Sequence, residues 1–214
     1  MTKSVFWIIH KVINQTIFLL EVALIFVKKK ISHKKIAQKF VHHTLQTIDD
    51  TYSDFLDAIF YDPELTEHPP LDYKDPRKFS LIIIAGNMKF FEKILSAYEE
   101  NNLCQAIIEE MSKAFETNFH EMQAELEKYS SFISRVNHPS KNILYGMSKA
   151  VFFKFKLGKY QEDYFAQLNT PNPIFLKRID NLVENYIWDW KSFFDKTIFI
   201  QSSHCLFIGT YMYM

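Results

Sequence analysis

Glycine is scarce in this chain of 214 residues: Gly86, Gly146, Gly158 and Gly209 are the only four. That supply leaves no material for a phosphate-cradling P-loop or a G-x-G-x-x-G turn, which excludes the nucleotide-binding α/β folds built on them. The two cysteines, Cys104 and Cys205, lie far apart without a C-x-x-C partner. Neither a zinc ribbon nor a disulfide framework is implied, and a reducing compartment is the default. Charge of one sign is missing too, since 25 basic residues balance 25 acidic ones. No global field therefore draws the chain to nucleic acid, and no nucleic-acid partner is expected. Only Arg77, Arg135 and Arg178 supply arginine. No long period-two alternation marks a strand and no internal repeat appears.

What is present is helical periodicity. The length suits one domain with a proper core. Apolar residues at Ile36, Phe40, Leu45, Ile48, Tyr52, Phe55 and Ile59 recur at helical spacing and predict a helix over 36–60. Four prolines, Pro63, Pro69, Pro70 and Pro76, turn 61–78 into a loop. A second helix is expected over 79–98 and a longer one over 103–133, ended by His138-Pro139-Ser140. Shorter helices fit 143–157 and 160–168, divided by Gly158. Pro171 and Pro173 open a last helix over 174–194, because proline suits a first turn. The fold class is all-α. The expected organisation is an N-terminal apolar helix with a basic end (1–35), a helical domain (36–195) and an irregular tail (196–214).

The stretch 5–27 is the most apolar and runs into Lys28-Lys29-Lys30. Its length suffices for a membrane span. His10, Lys11, Asn14, Gln15 and Glu21 interrupt it, however, and a charge at mid-bilayer costs about 2.5–3.5 kcal/mol. No small-x-small cleavage site marks a removed signal. A buried helix is the expectation, with a membrane anchor as the alternative, and the location is cytoplasmic or membrane-associated.

Chemistry concentrates in Thr47-Ile48-Asp49-Asp50-Thr51-Tyr52-Ser53-Asp54. On a helix Asp50 and Asp54 project from one face, with Asp57 near the same line. Such a stripe is either a solvated face or a place for a hard cation, which binds through carboxylates plus substrate phosphates. A second polar stripe, Asn181, Asn185 and Asp189 at i, i+4, i+8, offers oxygen donors at the same spacing. Other motifs are incomplete. His120-Glu121-Met122-Gln123-Ala124 lacks the second histidine of a zincin, and no G-x-S-x-G accompanies the serines. His43 reads as a surface histidine beside the acidic stripe, and the lysines of 28–35 as a solvated helix end.

Together the two stripes resemble the metal motifs of class I terpene synthases, relatives of the trans-prenyltransferases. Asp49-Asp50-Thr51-Tyr52-Ser53-Asp54 is similar to the family's aspartate-rich DDxxD or DDxxxD helix. Asn181-Leu182-Val183-Glu184-Asn185-Tyr186-Ile187-Trp188-Asp189 resembles a degenerate (N/D)Dxx(S/T)xxxE. Leu182 replaces an acid there, and Asn185 and Asp189 replace Ser/Thr and Glu. Arg135 stands 46 positions before Asn181, the spacing of the family's diphosphate-sensing arginine (181 − 135). The resemblance covers roughly 36–195. The sequence ends before the later helices that carry the family's Arg-Tyr pair, so an incomplete version of the fold is implied.

The resemblance implies an all-α barrel that ionises a prenyl diphosphate. Asp49, Asp50 and Asp54 would bind Mg²⁺ on one wall and Asn181, Asn185 and Asp189 on the other, with Arg135 forking onto diphosphate oxygens. An aromatic-lined cavity would shelter the allylic cation. An inactive descendant is the second form of that reading. The competing expectation is a non-catalytic helical protein held at a membrane by 5–27.

Overall fold

The computed structural model describes residues 29–199, so the apolar stretch 5–27 and the tail from residue 200 onward lie outside the described residues. What is described is almost entirely helical, in agreement with the all-α expectation. Helix α1 (His33–Phe60) opens on Ser32, whose side chain accepts from the Lys35 amide, and buries Ile36, Phe40, Ile48, Tyr52, Phe55 and Ile59. Its apolar stripe is the one read from the sequence. Among the described helices none is long and apolar enough to cross a membrane.

Helix α2 (Arg77–Phe91) is the centre. Every residue from Phe79 to Asn87 is buried, and a helix apolar all round has to be surrounded. Around it stand α1, α4 (Phe119–Asn137), α5 (Ile143–Lys154) and α8 (Trp190–Asp195). Helix α3 (Ala97–Ala114) lies along α1, and α7 (Pro173–Glu184) along α5. A Cβ on Gly86 would collide with the Met147 side chain, so glycine is what lets α2 and α5 approach there. The proline-rich loop is a loop as expected. It is pinned by the Tyr52 hydroxyl, which donates to the carbonyls of Asp72 and Asp75, and by Arg178 of α7, 2.7 Å from buried Asp62.

Several boundaries differ from the sequence reading, each for a local reason. The helix expected over 79–98 stops at Phe91. Ser96 and Glu99 then form a reciprocal capping box that starts α3. The helix expected over 103–133 is two: Glu116 is left-handed (φ 51°) and Asn118 caps α4 by accepting from the Glu121 amide. Apolar spacing runs through that break because α3 and α4 face one core. Helix 143–157 ends at Lys154, followed by left-handed Lys156 (φ 57°) and a 3-10 turn, Leu157–Tyr160. Of 160–168 only α6 (Asp163–Gln167) is α-helical. The helix expected over 174–194 breaks into α7 and α8, with 185–189 as an irregular turn. Two strands were not expected: β1 (Lys29–Ile31) pairs in parallel with β2 (Thr197–Phe199). Three residues are too few for a period of two to register. The segments 1–35 and 196–214 thus each lend a strand to the helical body.

Cys104 sits half-buried in a groove between α2, α3 and α4. Burial, reinforced by Glu100 and Glu92, pushes its thiol up to about 12. Because the thiolate is the nucleophile, Cys104 is expected to resist a short iodoacetamide pulse near neutral pH and to react once denaturant is added. Peptide-resolved mass spectrometry checks this; rapid labelling of the folded chain would contradict it.

Candidate functional site

A cleft of about 410 Å³ lies between α1 and the turn joining α7 to α8. One bank is His43, Thr44 and Thr47; the other is the run from Asn185 to Asp189. The turn exists because Asn87, fully buried on α2, captures its backbone. The Asn87 side-chain amide donates to the Tyr186 carbonyl (3.0 Å), and its carbonyl oxygen accepts from the Trp188 amide (2.8 Å). A continuous helix would have used those two backbone groups itself. From the α1 side, the Thr51 and Tyr186 hydroxyls are hydrogen-bonded at 2.8 Å. Burial holds the Tyr186 phenol above its ordinary range, and the charge of nearby Asp54 acts in the same direction, opposed by the Thr51 bond.

Aromatic packing fixes the floor. Trp190 is buried against Phe40 and Phe91 and stacks on Trp188 (5.5 Å). Trp188 in turn meets the His43 ring edge-to-face at 5.8 Å. One wall of the cleft is therefore a rigid indole, and its rim is polar.

The residues singled out from sequence divide into groups. Asp50 and Asp54 are exposed on α1, one turn apart, and do not line the cleft; both lie to the same side of Thr51, which is bonded to Tyr186. Asp49 is also exposed, rotated about 100° from Asp50 by helix geometry. Asp57 accepts from the Tyr73 hydroxyl at 2.7 Å. Asn185 and Asp189 line the cleft, while Asn181 sits a turn back on α7, its carbonyl accepting from the Asn185 side-chain amide. The single helical face expected for Asn181, Asn185 and Asp189 is corrected: Asn185 follows the end of α7, and Asp189 caps α8 by accepting from the Ser192 amide. Arg135 is in the last turn of α4, exposed, with its guanidinium over the Phe132 ring at 5.1 Å, and does not line this cleft.

Among the described residues, no three His, Cys, Asp or Glu come together as a ready set of metal ligands. The donors that line the cleft are hard oxygens, the Asn185 amide oxygen and the uncapped oxygen of Asp189, while Asp50 and Asp54 lie farther along α1. Such a set fits Mg²⁺ shared with ligand phosphates better than a closed protein cage.

Sequence reasoning passed over Asn87, Tyr186 and Trp188. Asn87 had a signal, as the polar residue that closes an apolar run on the central helix. Comparison with family models, with curated proteins and with solved structures returns no match.

Proposed function

We propose that this chain binds the Mg²⁺ complex of a prenyl diphosphate in the cleft between α1 and the α7–α8 turn, as a relative of the class I terpene synthases. The observation that carries the reading is the Thr51–Tyr186 hydrogen bond. It joins the helix that carries the acidic stripe, at Thr51, to Tyr186 of the second polar segment, 135 positions away. Two stretches chosen for their resemblance to metal motifs are thus neighbours in space.

In this reading Asp50 and Asp54 hold the cation from α1, and Asn185 and Asp189 approach it from the turn. When bound, Mg²⁺ would neutralise charge that builds on the departing diphosphate. The chain's own residues do the rest. Asn87 keeps the turn in place, Thr51 and Tyr186 fix its distance from α1, and the Trp188 face offers π density to a developing allylic cation. Arg135 has no part at this cleft in the reading.

Incubation of the full chain with geranyl or farnesyl diphosphate and Mg²⁺, followed by gas chromatography, tests turnover. Hydrocarbon or alcohol release that depends on Mg²⁺ is expected. Release that persists in EDTA would contradict the proposal, and binding without release would identify an inactive descendant.

A further inference from the structure

A second anomaly lies on another face of the molecule. Lys154, at the end of α5, places its amino group 4.6 Å from the ring centroids of both Tyr129 and Phe132. Phe132 also carries the Arg135 guanidinium. Lys154 shares a cavity of about 330 Å³ with Lys78, Lys156 and Lys159, roofed by Tyr52 and Tyr160. Among the described residues, none of these lysines, nor Arg135, takes part in an ion pair. Burial first, then the charges of Lys128, Arg135 and Lys78, hold the Lys154 amine below its usual range.

Two carboxylates, Asp72 and Asp75, line the same cavity and offset part of the charge of its four lysines, which leaves it net positive. Asp72 accepts from the Lys74 amide and Asp75 from the Arg77 amide. Glu125, the nearby acid on α4, is 2.6 Å from Arg77. Four lysines against two carboxylates leave an excess of positive charge, and an anion with several acceptor oxygens relieves it. The backbone adds to the case. Lys156 is left-handed in the position after a helix end where glycine is favoured. A lysine there costs stability and keeps a positive charge on the cavity wall.

We infer that the face formed by the end of α5, the following turn and α4 is a binding site for a phosphomonoester dianion, centred on Lys154. A dianion with three outward oxygens matches the clustered lysines, and a cavity of about 330 Å³ holds the phosphate together with a small organic group. The site needs no metal, and it stands whether or not the cleft beyond α1 binds diphosphate.

Calorimetric titration of the full chain with inorganic phosphate in EDTA tests it. Saturable binding at millimolar phosphate is expected, and Lys154→Met, which keeps the stem over the two rings, is expected to weaken it at least tenfold. Lys156→Gly is the variant that cannot be dismissed as unfolded. It removes left-handed strain and is expected to raise Tm by about 2–4 °C while lowering phosphate affinity. Asp50→Asn with Asp54→Asn is expected to leave this affinity unchanged, which separates the site from the cleft. Vesicles distinguish the source of the phosphate. Binding to phosphatidic acid vesicles that free phosphate displaces identifies a lipid headgroup; phosphate binding without vesicle binding identifies a soluble ester. Equal binding to phosphatidylserine vesicles of the same charge, or wild-type affinity in Lys154→Met, overturns the inference.

Discussion

Asn87→Leu is expected to destabilise the chain by about 2–6 kcal/mol, from two backbone groups left unpaired at about 1–3 kcal/mol each. Leucine shares asparagine's branching at Cγ and suits the apolar surroundings of α2, though its bulkier methyl groups add overpacking to the cost. The cost arises because Asn87 is fully buried and serves the Tyr186 carbonyl and the Trp188 amide together. Its removal leaves the Tyr186 carbonyl and the part-buried Trp188 amide without these partners. The cleft should loosen with the fold, since Asn87 and Thr51 together hold the turn that lines it. Urea denaturation reads the effect. A loss under about 1 kcal/mol would mean that the turn is held by its tryptophans instead.

The second large effect falls on ligand rather than on stability. Asp50→Asn combined with Asp54→Asn removes two exposed like charges one turn apart on α1. Repulsion of that kind is worth about 0.2–0.5 kcal/mol, so Tm should hold or rise slightly. Affinity for Mg²⁺ and diphosphate together should fall on the order of 100-fold, because loss of even an outer partner of a metal ligand costs about 10–100-fold. Asp57→Asn is the contrasting change. That carboxylate is occupied by the Tyr73 hydroxyl, so the effect on diphosphate should be small.

The contrast between elements shows what could be read in advance. Helix α1 was legible because its apolar stripe, its proline-ended exit and its length all agree. Pro173 likewise marked the start of α7. The breaks were harder, since periodicity reports which residues face the core and not whether the backbone between them is continuous. Glu116 and the turn at 185–189 sit between segments that face the same interior, so the pattern carries across them. Their causes are tertiary. The turn depends on Asn87, about a hundred positions away, and no local signal in 185–189 points to it. The candidate site was legible in part for the same reason: acidic and amide residues announce a polar face, but whether two such faces adjoin is decided by helix packing. Arg135 shows the converse. Its sequence spacing matches the family's arginine, yet its nearest notable partner is Phe132 on its own helix, in the company of Lys154. Sequence distance fixed no direction for that side chain.

The most direct measurement is calorimetric titration with inorganic diphosphate, with and without Mg²⁺, in the Lys154→Met background so that the basic face on α4 and α5 stays silent. The account predicts saturable binding that requires Mg²⁺ and disappears when Asp50→Asn and Asp54→Asn are added. Binding that is equally tight without Mg²⁺, or unmoved by the two asparagines, would contradict it.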